Sequence, residues 1–260
     1  MESYALITGA SSGLGVEFAK LLAARGYSLI LTARNEAALS AQKEALAREY
    51  SVAVECIPCD LSEQGAADAL WAEITARGLA VSVLVNNAGF GDFGAFAQCS
   101  AEKQQAMIAV NIAALTQLTH HTLAEMTRRG RGSILNVASI AAFQPGPLMA
   151  VYYATKAYVL SLTEALAVEL RGTGVTVSAL CPGPTATGFE KRAELGKSGL
   201  FKNLRVARAA DVAAYGVRAM EQGKVVAIHG VSNRLVVASV RFAPRALVRR
   251  CVYRIQKEKK

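Results

Sequence analysis

Short apolar runs alternate with longer amphipathic segments along most of the chain. The runs fall at residues 4–8, 28–33, 52–57, 81–85, 133–138, 175–180 and 224–228. Most lack a polar residue at every second position, which predicts strands buried on both faces. Strands of that kind, separated by helices, build a parallel sheet covered on both sides. The pattern predicts an α/β fold with a doubly wound parallel sheet of about seven strands and helices on both faces.

Past residue 230 the pattern changes. On a helical projection Leu247, Val248, Cys251, Val252 and Ile255 share one face, and Arg249, Arg250, Arg254 and Lys257 share the other. Residues 1–230 therefore read as a single domain and residues 231–260 as a basic amphipathic C-terminal extension. Nine basic residues and one acid between positions 234 and 260 contribute +8 of the net +9. Three uses fit such a tail: a helix packed on its own domain or on a neighbouring subunit, contact with an anionic membrane surface, and contact with an acidic partner such as acyl carrier protein. No recognition motif accompanies the charge, so nucleic acid is not an expected partner.

Composition narrows the setting. At 260 residues the chain can bury one large core without staples. Although 52% of its residues are apolar, no uninterrupted run is long enough to span a bilayer. Met1-Glu2-Ser3 leads straight into the first predicted strand, which gives the expectation of a cytoplasmic protein, with peripheral membrane contact only through the tail. The five cysteines are scattered, as reduced packed thiols would be. Cys56-x-x-Cys59 lacks a second pair, and His120, His121 and His229 show no ligand spacing, so no metal is expected.

Candidate chemistry begins at Thr8-Gly9-Ala10-Ser11-Ser12-Gly13-Leu14-Gly15, which joins the first strand to a helix. Glycines there let backbone approach a pyrophosphate, and the helix N-terminus favours its charge. The spacing is Gly-x-x-x-Gly-x-Gly, not the common dinucleotide fingerprint, but the strand-to-helix setting of a Rossmann-like fold supports phosphate binding. At the end of the second strand, where an acid would hold the ribose hydroxyl of NAD, stand Ala33 and Arg34. A guanidinium suits a 2′-phosphate, so NADP(H) is expected in preference to NAD(H), with Ser12 as a second contact. Asp60 either caps a helix starting near Ser62 or meets the adenine amino group. Asn86-Asn87-Ala88-Gly89, after the fourth strand, lies where open α/β sheets bind ligands.

Tyr152 and Lys156 are four residues apart and so share one helix face. The lysine charge is expected to lower the tyrosine pKa and make the phenol a usable acid and base. Tyr153 points about 100° away on the helix and reads as packing or pocket wall. Phe143, Leu148, Met149, Phe189 and Phe201 suggest an apolar substrate body, while Lys191, Arg192, Lys197 and Lys202 leave room for an anionic head.

Taken in order, these residues resemble the short-chain dehydrogenase/reductase family, from the first strand to at least Thr187. The likeness comprises the Thr8 to Gly15 turn, Asp60, the Asn86 to Gly89 turn, Asn111, Ser139, Tyr152, Lys156 and Pro182-Gly183-x-x-x-Thr187, with Ser139 13 residues before Tyr152. The resemblance implies a dinucleotide-binding and catalytic domain in which Tyr152 exchanges a proton with the carbonyl oxygen and Ser139 orients that oxygen. It further implies that Lys156 tunes Tyr152 and holds the nicotinamide ribose, and that Asn111 positions a water linking Lys156 to solvent. The implied cofactor contacts are Gly9, Ser11, Ser12, Gly13, Leu14, Gly15, Arg34, Asp60, Leu61, Asn87, Ala88, Gly89, Tyr152, Lys156, Pro182, Gly183, Thr185 and Thr187. The implied activity is interconversion of a carbonyl and a secondary alcohol on a small molecule, in a homodimer or homotetramer paired through the helices carrying Asn111 and Tyr152. The substrates in view are a 3-oxoacyl thioester, a steroid-like ketone and a small ketone or aldehyde. A sensor or scaffold that binds NADP without turnover is the alternative from another class; it needs no proton relay, and the full Asn111, Ser139, Tyr152 and Lys156 set argues against it.

Overall fold

Val, Ile and Leu at successive positions, each with somewhere to be buried, decide the architecture. A computed structural model of the chain describes residues 3–193 and 206–257. Its strands are β1 (Tyr4–Thr8), β2 (Ser28–Thr32), β3 (Val54–Cys56), β4 (Val81–Asn86), β5 (Gly132–Val137), β6 (Val175–Cys181), the short β7 (Thr185–Ala186) and β8 (Ala207–Arg208), and β9 (Val226–Ile228). The main sheet has seven strands in the order β3-β2-β1-β4-β5-β6-β9, and every neighbouring pair is parallel. β7 and β8 pair separately.

The helices are α1 (Leu14–Ala23), α2 (Glu36–Tyr50), α3 (Ala66–Ala76), α4 (Ala101–Ile108), α5 (Leu115–Arg129), α6 (Ala150–Glu169), α7 (Phe189–Arg192), α8 (Ala209–Glu221), α9 (Val231–Val240) and α10 (Arg245–Gln256). Alternate strand residues face opposite layers. Ala5, Ile7, Leu29 and Leu31 pack with Phe18 and Leu22 of α1 and with Val212 and Val217 of α8. Tyr4, Leu6 and Ile30 pack with Leu70 and Ile74 of α3 and with Leu118 and Met126 of α5. Both sets are buried, which is why the strands read as continuous apolar runs.

The sheet reverses its order at β1, with β2 on one side and β4 on the other. A crevice opens at the carboxyl ends of strands at such a point. The loops after β1, β2, β4, β5 and β6 all reach it.

Three expectations change. The third strand is three residues long, because at the sheet edge only Val54, Glu55 and Cys56 pair with β2. The helix expected near Ser62 starts at Ala66, after Gly65 in the left-handed region at φ 75°. Asp60 does not cap it: one oxygen accepts from the Ser62 amide at 3.0 Å and hydroxyl at 2.7 Å, a local turn that uses the carboxylate before the helix begins.

The third change concerns the tail. α10 packs on its own chain, burying Val248 and Val252 against Ala141, Met149 and Tyr153. The buried stripe continues to Gln256, so Val248, Val252 and Gln256 form it at a spacing of four. Leu247, Cys251 and Ile255, expected on the apolar face, are exposed. No helix among the described residues is long and apolar enough to cross a membrane.

Candidate active site

The turn after β1 is shaped by close backbone contact. Gly9 and Gly13 have φ of 65° and 59°, in the left-handed region that glycine adopts without strain. A Cβ on Gly13 would lie 2.8 Å from Thr187 Cβ, and one on Gly15 would strike the Gly9 carbonyl oxygen and come within 2.9 Å of Ala10 Cα. α1 starts at Leu14 with no side-chain cap, so its first amides remain available to an anion. Gly9, Ser11, Ser12 and Leu14 line the large cavity above the sheet, whereas Gly13 and Gly15 shape the turn from behind.

Thr8 and Asn87 lock this turn to the loop after β4. Thr8 Oγ1 accepts from the amides of Asn87 at 3.0 Å and Ala88 at 2.9 Å. Asn87 Nδ2 donates to the carbonyls of Thr8 at 2.8 Å and Gly9 at 3.1 Å. Below them, buried Asn86 donates to Asn136 Oδ1 at 2.9 Å, and Asn136 passes the chain to Thr163 at 3.0 Å. That network ties β4 and β5 to α6 and fixes the height of the site.

Arg34 and Asp60 stand at the far end of the cavity, with Leu61 beside them. Their side chains approach to 3.7 Å, and the Arg34 side chain is 74% exposed. Burial raises the Asp60 pKa, but the Ser62 hydrogen bonds and the Arg34 charge outweigh it and hold the carboxyl below its ordinary value. Asn35, next to Arg34, caps α2 by accepting from the Ala38 amide at 2.9 Å, which sets where the arginine leaves the sheet.

Ser139, Tyr152 and Lys156 meet at the other end. Ser139 follows β5 and accepts from the Ala141 amide at 3.1 Å, while α6 presents Tyr152 and Lys156. Lys156 Nζ donates to the Val137 carbonyl at 2.7 Å and lies 5.9 Å from the centroid of the Tyr152 ring. Burial pushes the Lys156 ammonium down to about 8. Burial also pushes the Tyr152 phenol up to about 12, opposed by a hydrogen bond with Ser139. The expected lowering of Tyr152 by Lys156 is thus not found. The ammonium is turned to Val137, and desolvation of the phenol outweighs the Ser139 hydrogen bond.

Asn111 sits in a π-helical turn, Ala109–Ala114, rather than in regular helix. Its amide donates to Phe90 O at 3.0 Å and Thr155 Oγ1 at 3.0 Å, and accepts from Phe90 N at 3.2 Å. It is buried behind the cavity wall. A Cβ on Gly89 would lie 3.0 Å from Asn111 Oδ1 and 3.5 Å from Lys156 Nζ, so the glycine lets the two approach the same spot. Ala88 and Gly89 themselves line the cavity, as do Pro182, Gly183, Thr185 and Thr187.

The cavity is about 650 Å³ in volume. Around Tyr152 its wall is apolar: Phe90, Met149 and Phe189, with the Phe189 ring centroid 5.3 Å from that of Tyr152. Phe143 packs into the core instead, and Leu148 does not line the cavity. Phe201, Lys197 and Lys202 lie outside the described residues, and Lys191 falls with Arg192 in α7.

Sequence reasoning missed the contribution of the tail to this wall. Val236, Val252, Ile255 and Gln256 all line the cavity. Asn233 of α9 packs so closely on Gly183 that a Cβ there would lie 2.6 Å from its amide nitrogen. Gln256 is fully buried and donates to the Tyr153 hydroxyl at 2.6 Å. The signal was a polar residue continuing the Val248–Val252 stripe at the next spacing of four.

A cradle closed to any Cβ, open helix amides and a cavity running from Arg34 to Tyr152 fit a nicotinamide dinucleotide. Known proteins agree. The curated very-long-chain 3-oxoacyl-CoA reductase of Laccaria bicolor is 35% identical over 182 residues, 68% of this chain; the match spans about half of that relative, 53%. The 7beta-hydroxysteroid dehydrogenase of Collinsella aerofaciens is 32% identical over 184 residues, 71% of this chain and 69% of the relative. A short-chain dehydrogenase from Sphingobium yanoikuyae, solved in complex with NADPH, superposes with a TM-score of 0.82 at 31% identity, covering 93% of this chain and 94% of that one. The short chain dehydrogenase family pattern itself matches residues 3–197. The chain therefore belongs to the short-chain dehydrogenase family, oxidoreductases that interconvert carbonyls and alcohols with a nicotinamide cofactor.

Proposed function

We propose that the protein is an NADP(H)-dependent oxidoreductase that interconverts a carbonyl and a secondary alcohol on a mostly apolar small molecule. The observation that carries this reading is the convergence of Ser139, Tyr152 and Lys156 on one end of a cavity whose other end holds Arg34. Bound there, the nicotinamide supplies hydride in reduction and accepts it in oxidation. Arg34 and Ser12 hold the 2′-phosphate, Asp60 and Leu61 flank the adenine, and the turn from Gly9 to Gly15 cradles the pyrophosphate. Pro182, Gly183, Thr185 and Thr187 close on the nicotinamide side.

Chemistry falls to four residues. Tyr152, neutral at pH 7 with its phenol pushed up to about 12, carries at Oη the proton that carbonyl reduction consumes. Ser139, hydrogen-bonded to the same phenol, donates to the carbonyl oxygen and fixes its place. Lys156 stays cationic below its value of about 8 and stabilises negative charge on Tyr152 after the proton leaves. Asn111 fixes Phe90 and the α6 residue Thr155, holding Gly89 and Lys156 in register for proton resupply.

The wall formed by Phe90, Met149, Phe189 and Val252 supports a ketone with a sizeable apolar body, such as a 3-oxoacyl thioester or a steroid-like ketone, as well as smaller ketones and aldehydes. Exposed Ile108 of α4 and Tyr158 and Val168 of α6 support pairing of copies through those helices. The test is NADPH oxidation at 340 nm with a panel of 3-oxoacyl thioesters, ketosteroids and aldehydes, run beside NADH. Turnover that Tyr152→Phe abolishes while NADPH binding persists supports the reading. Retained turnover in that variant, or none by the wild type with any of the panel, counts against it.

A further inference from the structure

We infer that the outer face of α9 and α10 docks on an anionic lipid surface, with the mouth of the cavity against it. Residues 231–257 hold seven basic side chains and no acid. Among the described residues, none of Arg241, Arg249, Arg250 and Arg254 pairs with a carboxylate. An unpaired cluster of that size is matched by a dense array of phosphates at a membrane surface.

Charge alone would fit any polyanion; the exposed apolar residues of α9 and the turn after it decide. Val231 is 70% exposed, Leu235 67% and Phe242 88%. Val231 and Leu235, four residues apart, share one face of α9, and Phe242 protrudes from the turn that follows it. Exposed side chains of this size cost free energy in water and gain it in the acyl region just below the headgroups, where guanidinium groups meet phosphate. A second copy is a poor occupant, since two such faces would oppose their arginines with no acid from this segment to offset them. An acidic protein surface would satisfy the arginines but not these protruding apolar side chains.

Continuity with the cavity gives the surface a use. Val236 and Ile255 line the cavity, yet remain 49% and 46% exposed, so they form its rim on these two helices. An apolar carbonyl compound dissolved in the bilayer would enter past them without crossing water. That consequence rests on the oxidoreductase reading above, whereas the docking itself does not.

Full-length protein is mixed with phosphatidylcholine vesicles, with and without phosphatidylglycerol, and sedimented. Binding to the anionic vesicles alone, weakening as salt rises, is expected. The triple variant Arg249→Glu, Arg250→Glu, Arg254→Glu is expected to lose at least about 100-fold in partitioning, and Phe242→Ser about 10-fold, both with unchanged unfolding midpoints. No sedimentation with anionic vesicles, or binding that survives charge reversal, overturns the inference. So does a dimer that Phe242→Ser turns into a monomer without any vesicle binding, which makes the face an interface between copies. Retention on an acidic carrier protein without vesicle binding overturns it as well. None of these readouts needs substrate, so failed docking and failed catalysis are told apart.

Discussion

Gln256 Nε2 donates to the Tyr153 hydroxyl at 2.6 Å across 103 residues of sequence. The bond joins the last turn of α10 to the helix that carries Tyr152, and it is wholly buried. Whichever way the amide is turned, one of its polar atoms meets the phenol and the other, at present Oε1, has no partner among the described residues. A buried bond of this kind contributes about 1 kcal/mol net, and losing one partner strands the other at a cost of about 1–3 kcal/mol. Gln256→Ala and Tyr153→Phe are each expected to destabilise the protein within that range. The double variant should cost less than their sum, as read from denaturant unfolding. Strict additivity would mean the two side chains are not coupled.

Arg34 approaches Asp60 but is mostly exposed, so its pairing contributes little to the stability of the fold. Its weight is expected in cofactor choice. Arg34→Ala should weaken NADPH by about 1.5–3 kcal/mol, the worth of a hydrogen bond to a charged group, while NADH changes far less and the unfolding midpoint stays put. Fluorescence titration with each nucleotide decides it, and equal losses for both would remove Arg34 from the 2′-phosphate site.

Gly15 offers a test of the cradle that is separate from charge. A Cβ there meets backbone of Gly9 and Ala10, which cannot yield as a side-chain tip can. Gly15→Ala is expected to cost about 1–3 kcal/mol by overpacking and to weaken nucleotide binding with it. At Gly26, by contrast, a Cβ meets nothing within 4 Å, although its φ of 81° still strains any replacement. Gly26→Ala should therefore cost stability and leave nucleotide affinity unchanged.

These cases show what was legible before the structure. Apolar runs disclosed the sheet, because a parallel strand buried on both faces has no polar alternation to hide it. The place of the glycines between a strand and a helix disclosed the turn, where close backbone contact excludes a side chain. Two things were hidden. The part of Gln256 in the cavity wall depends on how α10 is rotated against α6, and a helical projection cannot tell which edge of an apolar stripe faces inward. The direction of the Tyr152 shift was hidden too, because spacing fixes which residues share a face but not how much water is excluded there, nor that Val137 offers Lys156 Nζ a carbonyl.

Exclusion of water makes Lys156 costly to the fold, and the sign of that cost can be worked out. Its pKa falls from an ordinary 10.5 to about 8 on folding. Between those values the unfolded chain binds the extra proton, so this group's contribution to stability rises with pH across that window and is least favourable below about 8. Lys156→Met keeps the volume and removes the buried charge, at the loss of the donor to Val137 O. The variant is expected to be more stable than the wild type at pH 7 by about 1–3 kcal/mol, with the gap narrowing as pH rises from about 8 towards 9.0. Tyr152, whose pKa burial raises, acts in the opposite sense at high pH but is common to both proteins; Cys181, raised by burial and held back by the Lys156 charge, is not, so the comparison is read below the ordinary thiol value of 9.0. Denaturant unfolding of the pair at several pH values measures it. A wild type that is the more stable at pH 7 would show that the Val137 bond outweighs desolvation. A variant that gains stability yet loses turnover would show that this lysine is kept for chemistry at the expense of the fold.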